Sequence, residues 1–265
     1  MKIPLLLQID AMNATDTIVE ALQIRGFLVE KENDFIALQE GSGKADAWGL
    51  RRLLKRLNIP TFWQGDRVQI LVNHLPFSIA QKIVHTPGRN HPFEIKDYQK
   101  KWRHFANRRY GLKTNTLDLD PNIALLVKAL NKAGITAITG CDGHMKHAPV
   151  IRLSGPFTGA WLKIVQEKYL GHLNLHYKWD VKNDDLTGTI LIVQKARNKI
   201  WSSSYILKDT TTMAYTLMEN ASTIRNIKSA SFKRNEEMKK IATNYAEELK
   251  YDELQAWMES LVKRA

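Results

Sequence analysis

The strongest constraint on this chain is an internal echo. "IVEALQIRGF" (18–27) and "LVKALNKAGI" (126–135) align without a gap, placing Val19, Ala21, Leu22 and Gly26 over Val127, Ala129, Leu130 and Gly134. Each copy has apolar residues at helical spacing, then a glycine suited to a left-handed helix end, then β-branched or aromatic residues. Start signals agree: Thr15 or Asp16 can open the first helix, and Asp120 with Pro121 at the first helical position can open the second.

The parallel continues downstream. "FLVEKENDFIALQE" reads as two short strands about a polar turn, matched by "ITAITG" and "PVIRLSG" about a longer turn. Helices "ADAWGLRRLLKRLN" and "GAWLKIVQEKYLG" follow, with Ala47-Trp48 over Ala160-Trp161. Two more strand candidates close each copy: "TFWQG" and "RVQILV", then "LNLHYKWD" and "TGTILIV". The expected fold is α+β, with two related α-β-β-α-β-β units, antiparallel sheets, a basic connector and a helical C-terminal tail. The boundaries read 1–74 for the first unit, 75–119 for the linker and basic helix, 120–194 for the second unit and 195–265 for the helical region.

Charge narrows the partner class. The net charge is +12, and such an excess attracts polyanions, nucleic-acid phosphates first among them. One cysteine excludes an internal disulfide framework and points to a reducing compartment. The apolar run after Met1 is too short for a signal segment, and no later run approaches a membrane span, so the expectation is a cytoplasmic protein with no membrane partner. In "KDYQKKWRHFANRRYGLK" the cations Lys96, Lys100, Lys101, Arg103, Arg108 and Arg109 interleave with Tyr98, Trp102, Phe105 and Tyr110. The aromatics fit one side of a helix as core, leaving the cations for phosphates. Arg197, Lys199, Arg225, Lys228, Lys233 and Arg234 extend the basic set, and "TTMAYTLMENASTIRNIKSA" has a faint helix-turn-helix outline without the usual turn glycine. The final stretch, with Leu254, Trp257, Met258 and Leu261, is an amphipathic helix for packing on the body or on a protein partner.

"GCDGHMKH" (140–147) holds the only cysteine beside an acid and two histidines. As an enzyme site, Cys141 is the nucleophile, His144 its base and Asp142 an acid or orienter. As a metal site, Cys141, His144 and His147 supply three ligands, one short of a structural set, and no fourth is evident nearby. As plain structure, Asp142-Gly143 is a turn dipeptide around a small buried thiol. No particular cofactor is implied.

Residues 118–193, with "DPNIALLVKALNKAGITAITGCDGH", "PVIRLSG", "GAW" and "WDVKNDDLTGTILIV", are similar to a group of functionally uncharacterised bacterial and phage proteins. The resemblance implies that Cys141, Gly143, His144, Trp161, Trp179 and Gly188 belong to a recurring scaffold, and it carries no activity. Gly140 stands where that group usually has serine. The paired layout also resembles monomeric LAGLIDADG homing endonucleases, which implies a saddle for DNA and an acid at the end of each interfacial helix. Here those helices end "QIRG" and "NKAG", without an acid. The leading expectation is a nucleic-acid-binding protein of phage or mobile-element type, DNA ahead of RNA. The alternatives are an enzyme or nucleotide binder at Cys141–His144, an interaction module or inhibitor of a host enzyme, and a divergent LAGLIDADG-like endonuclease.

Overall fold

The computed structural model describes residues 13–39, 42–88, 115–184, 188–194, 201–232, 236–248 and 250–264. The first unit runs α1 (Ala14–Arg25), β1 (Val29–Glu32), β2 (Phe35–Leu38), α2 (Lys44–Arg56), β3 (Thr61–Gln64), β4 (Arg67–Ile70) and α3 (Phe77–Val84). The second runs α4 (Pro121–Lys132), β5 (Ala137–Cys141), β6 (Val150–Leu153), α5 (Pro156–Val165), β7 (Trp179–Asp184) and β8 (Gly188–Val193). Then come α6 (Ser203–Glu219), α7 (Ala221–Ser231), α8 (Glu236–Glu247) and α9 (Tyr251–Val262). The two sheets share one topology, β1-β2-β4-β3 and β5-β6-β8-β7, antiparallel throughout. The α+β fold with two matching units is therefore present, in the order that the sequence echo anticipates.

The two aligned glycines explain why each unit begins alike. Gly26 and Gly134 sit at φ 103° and 78°, the left-handed region that ends a helix and turns the chain into its sheet. Gly26 has a second duty, because a side chain there would stand 2.8 Å from Ala124 of α4. The caps differ in detail from expectation. Asn13, rather than Thr15 or Asp16, opens α1 by accepting the Asp16 amide N–H at 2.9 Å. Asp120 does occupy the N-cap of α4, but its carboxylate makes no capping bond.

Each sheet is apolar on one face. In the first unit Val29, Ile36, Val68 and Ile70 pack with Ile18, Leu22, Leu50, Leu53, Ile83 and their neighbours. The opposite face carries Glu30, Glu32, Phe62 and Arg67, with Glu32 and Arg67 paired at 3.0 Å. The second core is larger. It joins α4, α5 and the inner residues of β5–β8 to Met213, Leu217, Ile224, Leu254 and Met258, so helices after residue 202 complete this unit. Leu254 and Met258 are fully buried, which commits that face of α9 to the body of the molecule. α3, beyond residue 74, packs into the first core. Aligned Trp48 and Trp161 part company: Trp161 is buried, while Trp48 is 53% exposed.

Buried polar groups fasten the halves. Lys128 of α4 and Asp46 of α2 form an ion pair at 2.9 Å with side chains 0% and 1% exposed, and Asp46 also accepts the Thr116 N–H at 2.8 Å. Arg25, wholly buried, donates to the carbonyls of Thr86, Thr116 and Leu119 at 2.8, 3.1 and 2.9 Å. Among the described residues, no helix is long and apolar enough to cross a membrane.

Candidate functional site

The octet turn lies where the echo puts it, between β5 and β6. Gly143 has φ 77°, and a side chain there would press 3.2 Å from the Ala148 backbone. His144 and Met145 follow at φ 48° and 61°, so the chain winds through three consecutive left-handed residues. Asp142 holds this shape by accepting the His144 N–H on Oδ1 at 2.9 Å.

A residue from 22 positions upstream completes the group. The Asp142 N–H donates to Asp120 Oδ2 at 3.1 Å, which draws the first residue of the α4 end onto the turn. One ligand-type atom each from Asp120, Cys141, Asp142 and His144 lies within 4.8 Å of the others. His144 stands between the acids, Nε2 3.6 Å from Asp120 Oδ2 and Nδ1 3.4 Å from Asp142 Oδ1. Asn122 Nδ2 donates to Asp142 Oδ2 at 2.8 Å and to Ser203 Oγ at 2.9 Å. His147, expected as a ligand in the metal reading, is exposed and outside the group. Asp120 was out of reach for sequence reasoning, which saw in it only a helix start.

The electrostatics weigh against a nucleophilic cysteine. Burial pushes the Cys141 thiol up to about 12, Asp120 and Asp142 push the same way, and the Gly143 N–H donated to Sγ at 3.3 Å only partly opposes them. An activated thiol needs positive surroundings, and here two carboxylates supply the reverse. The Asp120 carboxyl is likewise held above the ordinary carboxylate range, first by burial and then by Asp142. A raised carboxyl means that the folded chain binds more protons than the unfolded one. Stability of the metal-free protein therefore falls as pH rises from the ordinary carboxylate value through the folded one. Asp120→Asn should raise the thermal midpoint at neutral pH and flatten that slope, as melting curves taken at successive pH values will show. A lower midpoint at pH 7 would contradict this account.

The basic set divides differently. Lys96, Lys100, Lys101, Arg103, Arg108, Arg109, Arg197, Lys199, Lys233 and Arg234 lie outside the described residues. Arg225 and Lys228 are described: they donate to the carbonyls of Lys132 and Gly134, at 3.0 and 2.6 Å, at the C-terminal end of α4, and Arg225 is exposed. Only Asn220 separates α6 from α7, and its side chain donates to Thr216 O instead of capping α7. A helix-turn-helix needs a three- or four-residue turn at that place. The saddle analogy loses its acids as well, because α1 ends in buried Arg25 and α4 in Lys132, while Asp34, which the ungapped alignment of the two copies places over Asp142, sits exposed in a plain turn.

A different basic surface is present on α2. Lys44, Arg51, Arg52, Lys55 and Arg56 are exposed on this helix, and its one acid, Asp46, is buried. Arg52 lies over the exposed Trp48 ring at 4.5 Å, and Arg51 over Trp63 at 4.4 Å. Arg56 reaches Thr86 Oγ1 at 3.3 Å, beside exposed Lys82 and His85. The sequence signal was available: cations at 51, 52, 55 and 56 fall opposite Leu50, Leu53 and Leu54 at helical spacing.

The chain matches no family model, no curated protein and no solved structure.

Proposed function

We propose that this chain is a nucleic-acid-binding protein, with DNA as its partner ahead of RNA, and that the outward face of α2 is a contact surface. The observation that carries this reading is the set Lys44, Arg51, Arg52, Lys55 and Arg56 beside exposed Trp48, on a helix whose only carboxylate is turned into the core. Cations spaced along one helix face suit a row of phosphates and release counterions on contact. An exposed indole offers a flat face to a base, so frayed or single-stranded DNA gains a stacking contact as well. Arg52, already over the Trp48 ring, is placed to share that stack. Segments 89–114, 195–200 and 233–235 are rich in lysine and arginine and would add to the same attraction.

Fluorescence anisotropy with labelled single-stranded DNA, duplex DNA and RNA across a salt series tests the proposal. Log affinity should fall linearly with log salt. Arg52→Glu with Lys55→Glu should weaken binding at least tenfold and reduce the slope by about two contacts. Trp48→Ala should cost roughly 1–3 kcal/mol on single strands and much less on duplex. Binding that is absent at low salt, or that is indifferent to the double reversal, would overturn the assignment to α2.

A further inference from the structure

We propose that Asp120, Cys141, Asp142 and His144 bind one divalent transition-metal ion of the zinc class. The donor set is one thiol, one imidazole and two carboxylates, which supplies the four ligands of a tetrahedral zinc site and suits magnesium or calcium poorly. With metal–ligand bonds of about 2.0–2.3 Å, ligand atoms of a tetrahedral site lie roughly 3.3–3.8 Å apart. An ion can take only one His144 nitrogen, Nε2, which stands 3.6 Å from Asp120 Oδ2, or Nδ1, which stands 3.4 Å from Asp142 Oδ1, and one donor atom per residue lies within 4.8 Å of the rest, so closure asks for about an ångström of side-chain movement.

Two further observations point to a ligand. The donors are held from behind, as metal-binding side chains usually are. Asp142 receives Asn122 Nδ2 and the His144 N–H, Asp120 receives the Asp142 N–H, and Cys141 Sγ receives the Gly143 N–H. Asn122 itself, 7% exposed and directed onto Asp142, keeps its Oδ1 without a hydrogen-bond partner. Secondly, Asp120 and Asp142 are both buried and close to each other, with His144 within 3.6 Å of one and 3.4 Å of the other and the Arg25 guanidinium acting on Asp120 from the core. A divalent ion offsets that carboxylate repulsion. The sulfur–metal bond forms as the thiol proton leaves to solvent.

Cobalt(II) titration of the chelator-treated full chain tests this. One equivalent should produce a thiolate-to-cobalt charge-transfer band, and zinc should bleach it. Cys141→Ser should abolish the band, and Asp120→Asn should weaken cobalt binding. Asn122→Ala should weaken it by about 10–100-fold, the usual cost of losing a supporting hydrogen bond. His147→Ala should leave the titration unchanged. Circular dichroism separates loss of binding from loss of fold. An absent band in the native chain, or a band indifferent to both Asp120→Asn and Asn122→Ala, overturns the proposal. Neither result bears on DNA binding by α2, which is measured separately.

Discussion

In the metal-free protein, Cys141 should react with iodoacetamide at pH 7 about 30–60-fold more slowly than an ordinary exposed thiol. Only the thiolate is nucleophilic, so its population falls with the full shift, while the greater basicity of that thiolate restores nearly half of the loss on a logarithmic scale. A group pushed from 9.0 to about 12 holds roughly a thousandth of the usual anion at neutral pH. Partial burial adds to the delay. Mass spectrometry of timed alkylations gives the rate directly, and repeating them at higher pH should show the rate still climbing past the point where an exposed cysteine levels off. Asp120→Asn should quicken the reaction, because it removes one of the negative neighbours. A thiol modified within the time of an exposed control would restore the nucleophile reading and remove the electrostatic case made against it.

The second large effect concerns the joint between the halves. Asp46→Ala should destabilise the protein by about 3–5 kcal/mol, the range for breaking a buried ion pair from one side. Lys128 is fully buried, and burial lowers its affinity for a proton while Asp46 supports the charged form. Removing the carboxylate also takes the acceptor from the Thr116 N–H. Replacing both charges together, as Asp46→Asn with Lys128→Met, should recover most of the loss, because two groups of similar volume without charge avoid the desolvation cost. Urea unfolding of the three proteins measures this. If Asp46→Ala costs less than 1 kcal/mol, the ion pair is not what secures the joint.

How much of this was legible beforehand depended on distance along the chain. Gly26, Gly134 and the alternation in "PVIRLSG" and "RVQILV" report local geometry, so helix ends and strands could be placed from neighbours alone. The turn around Asp142-Gly143 was equally local. The fourth member of its cluster was not, because Asp120 reaches it only once α4 packs beside β5, and in the sequence the residue has an adequate reason to exist as a helix start. Arg225 and Lys228 show the opposite difficulty. Their charge is visible in the sequence, whereas the carbonyls of Lys132 and Gly134 that accept from them are not. The α2 cations were legible, four of them within residues 51–56, but the sequence does not show that Asp46 is turned into the core while Trp48 is left outside beside them.

The three carbonyls on Arg25 have a topological consequence. Thr86 lies before residues 89–114 in the sequence and Thr116 and Leu119 lie after them, so a single guanidinium ties together the chain on either side of that stretch. A chain cut once between Gly88 and Asn115 would therefore keep its two fragments joined through Arg25 and the Asp46–Lys128 pair, migrating as one particle until denatured.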